Sequence, residues 1–316
     1  MDADRIKVIF LGGSSRSGST LLDRMLGQVD GFFSLGEVYH IWQRGFAENQ
    51  LCGCGKPFRS CEFWSSVVEE AFGGFGKIVP ESVLKLRGTV QRVKYIPYLT
   101  FPALRPASYQ SRLSKYVEIW SRLYHAIHKV SGARVLIDSS KSPTHGFVLN
   151  TIPGIDLHVV QLVRNSYAVA FSWQRKKRRP EVHWTEAYMP RLGVLRSAWE
   201  WNLSNALVEL LGAAAPHYTV VHYEDLTGWP RRTLRELFTR LGMEPPELGF
   251  FTDDQTINLD VDHTVSGNPI RFKHGVIQVH PDMEWKQKMP AHKRVAVTAL
   301  TWPLLIRYGY LKGARR

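Results

Sequence analysis

A chain of 316 residues, 44% hydrophobic and 22% charged, can bury a full core and lacks the bias of disordered, fibrous or collagen-like sequences. Its formal net charge of +13 favours acidic partners: nucleotides, nucleic acid, anionic lipid or acidic glycans. No apolar run approaches the roughly 20 residues of a membrane span, and the polar start ahead of Val8–Leu11 has no secretory h-region, so a cytoplasmic protein is expected.

Ile6 to Leu11 is a short apolar run ending in Gly12-Gly13, as in a buried parallel strand. Thr20, Leu21, Leu22, Met25 and Leu26 then recur at helical spacing. Residues 45–80, rich in Gly, Cys and Pro, read as loops, and the prolines at 97, 102 and 106 preclude a long element over residues 95–106. Leu113 to Val130 reads as a helix with Val117, Trp120, Leu123, Tyr124 and Ile127 on one stripe. Val135–Ile137, ending at Asp138, and Leu157–Val163, ending at Arg164, are two further strands; Ser166–Lys177 follows as a helix. Tyr218–His222 is a fourth strand, and Arg231–Leu241 an amphipathic helix stopped by Gly242 and Pro245-Pro246. Strands alternating with helices at these distances predict an α/β fold, a P-loop-like, mainly parallel sheet flanked by helices on both faces. One domain over residues 1–316 is expected, with an insertion at about 45–130 on the acceptor side. Ligands of such sheets lie beyond the carboxyl ends of the strands.

The three cysteines, Cys52, Cys54 and Cys61, are too few and too odd in number for a disulfide framework. Their spacing suits part of a zinc site, which would need a fourth ligand such as His40. With three ligands in hand, a buried thiol cluster or a redox-sensitive pair is the stronger expectation, and no metal is assigned.

Chemistry concentrates in Gly12–Thr20, GGSSRSGST. Gly13, four residues and Gly18 form the frame of a phosphate loop, in which converging backbone N–H groups and a helix N-terminus receive an anion. Ser15, Ser17, Ser19 and Thr20 add hydroxyls. A nucleoside triphosphate site would carry Lys after the second glycine; here Ser19 stands there, and the cation is Arg16 inside the loop. A second anion signal is LVRNSYAVAFSW, where a strand ends on Arg164 and Ser172 follows eight residues later, a guanidinium fork and a hydroxyl suited to a phosphate dianion.

These two segments resemble the 5'-phosphosulfate loop and the 3'-phosphate segment of sulfotransferases that use 3'-phosphoadenosine 5'-phosphosulfate (PAPS), closer to the bacterial and tyrosylprotein/carbohydrate branches than to the cytosolic aryl branch. Asn165 and Ser166 depart from the family's common Asp and Pro, but the Arg164/Ser172 pair is intact. Tyr223-Glu224-Asp225-Leu226 is similar to a structural segment of the family. His263–Phe272 looks like the C-terminal loop, at about 260–280, that covers the nucleotide, with Gly267, Asn268 and Arg271 as its contacts. The resemblance implies PAPS as co-substrate, adenosine 3',5'-bisphosphate as product, no required metal, and a hydroxyl acceptor: lipid, glycolipid, carbohydrate or another small alcohol.

For the chemistry, Arg16 and Lys141 are the expected cations at the sulfate, Lys141 by similarity to a Lys shortly before Pro in tyrosylprotein-type members. Glu37, in a Gly-Glu step that follows the loop helix, is the expected base. His40 is the alternative base, and His145 and His263 are weaker ones. Ile137-Asp138 also invites a P-loop kinase that moves phosphate from ATP with magnesium. The run Arg175–Arg179 invites a non-enzymatic nucleic-acid binder, although no nucleic-acid-binding signature accompanies it. Between Ser82 and Val117 there is no acidic residue, and Tyr95, Tyr98, Phe101 and Leu104 lie among basic residues. That segment would wall the acceptor site or touch an anionic membrane peripherally, unless its aromatics pack into the core.

Overall fold

The computed structural model describes residues 5–311. Its centre is a five-stranded parallel sheet of β1 (Ile6–Gly12), β2 (Phe32–Ser34), β3 (Val135–Lys141), β4 (Ile155–Val163) and β5 (His217–His222), in the order β2-β3-β1-β4-β5. The strands read as continuous apolar runs because both faces are covered. Successive side chains of β1 part to opposite sides: Val8 and Phe10 enter one core, Ile9 and Leu11 the other. The second core is closed by the helices Ser19–Leu26 and Pro230–Arg240, through Leu22, Leu26, Leu234 and Phe238. The first is closed by the insertion, whose long helix Ala107–Ser131 lays Tyr116, Trp120, Leu123, Tyr124 and Ile127 against it. The expected α/β architecture with helices on both faces is therefore present.

Several elements differ from expectation. Residues 45–80 are not all loop: Glu62–Phe72 is a helix with Trp64, Val67, Val68 and Ala71 buried. The Cys residues and Pro57 lie in its approach and Gly73, Gly74 and Gly76 follow it, while between them apolar residues recur at spacings of three and four. The helix expected over Ser166–Lys177 stops at Gln174, because Arg175 turns extended. Two long helices, Val194–Ala214 and Ala291–Arg307, have no clean apolar stripe, since Leu195, Trp199 and Trp302 face solvent, and the second carries Pro303 in its interior. A separate antiparallel pair, β6 (Thr256–Leu259) and β7 (Gly275–Gln278), frames the segment that lies over the sheet's carboxyl edge. Among the described residues no helix is long and apolar enough to cross a membrane.

Candidate active site

All five strands deliver a residue to one cleft of about 330 Å³ beyond their carboxyl ends. After β1 the chain curls through Gly13 and Gly18, both at left-handed φ, +130° and +92°. A Cβ on Gly13 would stand 2.4 Å from the Leu162 carbonyl oxygen, and one on Gly18 2.6 Å from the Tyr223 ring, so both positions require glycine. Between them Arg16 holds φ +70°, a conformation that costs a non-glycine residue energy and recurs at functional sites. Ser17 Oγ donates to the Ser14 carbonyl at 2.7 Å and braces the loop from within. The helix Ser19–Leu26 starts without a side-chain cap, which leaves its first N–H groups for a ligand at the loop.

Arg16 lies over Trp173 at 4.8 Å and points Nη1 at Met189 Sδ, 3.2 Å away. Its Nη2 is buried with no hydrogen-bond partner among the described residues. Burial lowers the Arg16 pKa, with Glu37 opposing. From the end of β4, Arg164 donates to the Arg16 carbonyl at 3.0 Å, stacks over Tyr223 at 4.1 Å and reaches Asp282 at 3.2 Å, while its Nε is buried without a partner among the described residues. Arg175 grips the same Asp282 with two bonds, of 2.9 and 3.0 Å. Ser172 is buried on the helix Ser166–Gln174 and lines the cleft beside them. Buried donors without acceptors are costly, and two guanidinium groups with such donors over one glycine loop are chemically suited to phosphate-like anions.

On the other side β2 runs through Gly36, at φ +67°, into Glu37. A Cβ on Gly36 would meet the Ser266 carbonyl oxygen at 2.7 Å. Lys141, at the end of β3 and also left-handed with φ +61°, donates to Glu37 Oε1 at 2.5 Å and to the Ser139 carbonyl at 3.2 Å. His40 Nε2 and Arg44 Nη1 stand 3.8 and 3.9 Å from Glu37 Oε2. Burial pushes the Glu37 carboxyl up, but Lys141, His40 and Arg44 together bring it down to about 2. Burial and then the Arg44 charge hold His40 at about 3, so its imidazole is neutral at pH 7, where Lys141 and Arg44 are the cations that act on Glu37.

The cleft thus gathers Ser15, Arg16, Gly18, Ser19, Thr20, Glu37, His40, Lys141, Arg164, Ser172, Gly267 and Asn268 from the residues singled out in the sequence. The C-terminal segment does cross the loop helix: Asn268 N donates to Thr20 Oγ1 at 3.2 Å, and a Cβ on Gly267 would lie 3.3 Å from that oxygen. Arg271 corrects the expectation. It is 0% exposed, donates Nη1 to the Thr264 carbonyl and Nη2 to the Leu51 carbonyl, both at 2.6 Å, and leaves only its buried Nε without a partner among the described residues, so it ties two segments together and does not line the cleft. The Ser17 hydroxyl likewise points inward.

His145 is no base in this cleft, being fully buried 3.2 Å from Asp138. Asp138 itself is 0% exposed, with one oxygen accepting from Ser140 N at 2.8 Å and the other from Tyr124 Oη at 2.6 Å, which gives it no face for a magnesium ion. In the basic run, Arg175 and Arg179 are committed to Asp282 and Glu181. Tyr95 and Tyr98 pack against the core, whereas Phe101 and Leu104 stay exposed; none of the four lines the cleft. Arg44, Trp173, Met189 and Asp282 escaped the sequence reading, and Tyr223, read as part of a structural segment, also lines the cleft. Trp173 adjoins Ser172 and was within reach; Arg44 and Asp282 sit in no motif and arrive by tertiary folding.

A model of the sulfotransferase family matches residues 8–247. No curated protein matches the chain. Among solved structures, the sulfotransferase domain from the Synechococcus PCC 7002 olefin synthase is 21% identical over 96% of each chain, with a TM-score of 0.52. The sulfotransferase domain from the curacin biosynthetic pathway is 17% identical over 94% of this chain and 97% of its own, with a TM-score of 0.53. At these identities the likeness is one of fold, and it agrees with the parallel sheet described above. The family match runs from β1 past β5 and takes in the phosphate loop, Glu37, Lys141 and Arg164, so the chain belongs to the sulfotransferase family.

Proposed function

We propose that the cleft binds PAPS and transfers its sulfuryl group to a hydroxyl of an acceptor. The observation that carries this reading is the pair of guanidinium groups, Arg16 and Arg164, each with a buried donor lacking a partner among the described residues, on either side of a glycine loop without the triphosphate Lys. PAPS would supply an activated sulfuryl group and a second phosphate on the ribose. The loop N–H groups, Ser19 and Thr20 suit the 5' end; Arg164 and Ser172 suit the 3'-phosphate.

In the transfer, the acceptor oxygen forms a bond to sulfur, the bond from sulfur to the 5'-phosphate oxygen breaks, and that oxygen leaves with the electron pair. Arg16 and Lys141 stabilise the charge that grows there. Glu37 takes the acceptor proton. A carboxylate held at about 2 by Lys141 is a weak base. An anionic sulfuryl donor offers Lys141 a competing partner, and losing Lys141 would raise the Glu37 pKa toward a useful value. His40, neutral at pH 7 and 3.8 Å from Glu37, would relay that proton outward.

The acceptor is read as a small-molecule or lipid-linked alcohol approaching from the Glu37 side. The exposed Phe101 and Leu104 among basic residues support peripheral contact with an anionic membrane, and failure to bind anionic vesicles at low salt would remove that part. Incubation with sulfur-labelled PAPS and cell extracts tests the whole. Label moved to an organic product by the protein, but not by Glu37→Gln, is expected; absence of transfer across extracts, with phosphate moved from labelled ATP instead, would overturn the reading.

A further inference from the structure

Away from the cleft, four side chains converge that the transfer reaction does not use. Cys52, Cys54, Cys61 and His263 place one ligand atom each within 4.8 Å of one another. The His263 Nδ1 lies 3.2 Å from Cys61 Sγ and 3.8 Å from Cys52 Sγ, and Cys54 Sγ is 3.7 Å from Cys61 Sγ. A tetrahedral zinc centre with bonds of about 2.3 Å to sulfur and about 2.0 Å to nitrogen has S–S edges of about 3.8 Å and S–N edges of about 3.5 Å. The three distances match those edges. His40, the fourth ligand considered from sequence, is instead at Glu37.

The backbone is shaped for this. Leu51 and Pro57 bridge antiparallel, Cys52 N donates to the Lys56 carbonyl at 2.9 Å, and Gly55 turns at φ +82°, so the first two thiols sit on a tight knuckle. Cys61 caps the helix Glu62–Phe72, whose N-terminus favours a thiolate. Gly53 N donates to the Thr264 carbonyl at 2.9 Å, and a Cβ on Gly53 would strike Asp262 Oδ1 at 2.1 Å, so glycine lets the His263 segment approach. The His263 ring is fixed by stacking on Phe63 at 5.1 Å, and its carbonyl accepts from Trp64 Nε1 at 2.7 Å. A disulfide between Cys54 and Cys61 would need about 2.05 Å between sulfurs and would leave an odd thiol with an imidazole nitrogen aimed at it. A bare thiol cluster, the expectation from three cysteines, likewise gives that nitrogen no role.

We propose that these four residues bind a structural zinc ion, a closed Cys3His site with no open position. It staples the start of the insertion to the segment that continues through Gly267 and Asn268 over the phosphate loop. Binding displaces the thiol protons, and the ion's free energy becomes folding free energy. The proposal rests on no reading of the cleft, so its test needs no substrate.

The full chain, produced in zinc-supplemented medium and dialysed, is expected to carry about one zinc per chain by elemental analysis. Its three thiols should resist a thiol reagent until a mercurial and chelator release the metal, and the melting temperature should then fall. Cobalt(II) in its place should give the d–d bands of a tetrahedral thiolate site. Cys61→Ser should lose the metal. Should that variant not fold, His263→Cys, which keeps four ligands, should fold and retain zinc. Metal-free protein with three thiols that react in the native state would overturn the proposal. So would a denatured, unreduced chain with two thiols missing and no metal, or a metal-free, folded His263→Cys.

Discussion

The two halves of the cleft hold their charges in different ways. On the side of β1 and β4, Arg16 and Arg164 are fixed by rings and backbone carbonyls, and each keeps a buried donor with no partner among the described residues. On the side of β2 and β3, Glu37 and Lys141 neutralise each other at 2.5 Å, with Arg44 and His40 close by. The first half keeps unpartnered donors although Asp282 pairs with Arg164, whereas the second is self-satisfied; on the proposed function, an anion bound by the first half would draw Lys141 from Glu37. Binding and turnover therefore ought to separate under mutation.

The sharpest separation is expected at Glu37. Glu37→Gln should lower kcat by about 10²–10⁴-fold, the usual range for a lost general base, while adenosine 3',5'-bisphosphate still binds in calorimetry; equal losses in both would merge the halves. Arg164→Ala should do the opposite. Removal of charged hydrogen bonds worth about 1.5–3 kcal/mol predicts a roughly 10- to 100-fold weaker bisphosphate, with little change in kcat at saturation. Asp282 already occupies Arg164 and Arg175, so Asp282→Asn should tighten the bisphosphate by about fivefold, roughly 1 kcal/mol. Weaker binding would instead make Asp282 a brace that orients Arg175.

Acid titration probes the second half without substrate. The Glu37 pKa falls from an ordinary 4.5 to about 2 on folding. A depressed carboxyl contributes stability that is present above the unfolded value and lost as pH falls through the folded one. The melting temperature of the wild type should thus approach that of Glu37→Gln as pH drops from about 4.5 toward 2. In turnover, kcat/KM for the donor reports the free enzyme and should show no acid limb from Glu37 above pH 5, whereas kcat should gain one if the bound donor draws Lys141 away.

Three strand ends were legible in the sequence because an apolar run meets a glycine or a charged residue there, at Gly12, Asp138 and Arg164, although β3 continues three residues further to Lys141 and the three-residue β2 carries no such run. That alone located the phosphate loop and the Arg164/Ser172 pair. Glu37 was legible through its Gly-Glu step, since Gly36 needs its left-handed turn against Ser266. Asp282 was not, because it meets Arg164 and Arg175 more than 100 residues away and sits in no motif; His263 was read as a weaker base at the head of the covering loop, since its cysteine partners lie more than 200 residues away. Arg271 was misread for a related reason: its partners are the backbone carbonyls of Thr264 and Leu51, and a carbonyl acceptor leaves no trace in residue identity. The helix Glu62–Phe72 was hidden by the Cys- and Gly-rich knuckle before it.

Calorimetric titration of the wild type and Arg164→Ala with adenosine 3',5'-bisphosphate, AMP, and ATP with magnesium tests the central claim most directly. The bisphosphate should bind at least about tenfold more tightly than AMP, as loss of one charged phosphate contact implies, and Arg164→Ala should erase this difference. Tighter binding of ATP with magnesium, with no preference for the 3'-phosphate, would contradict it.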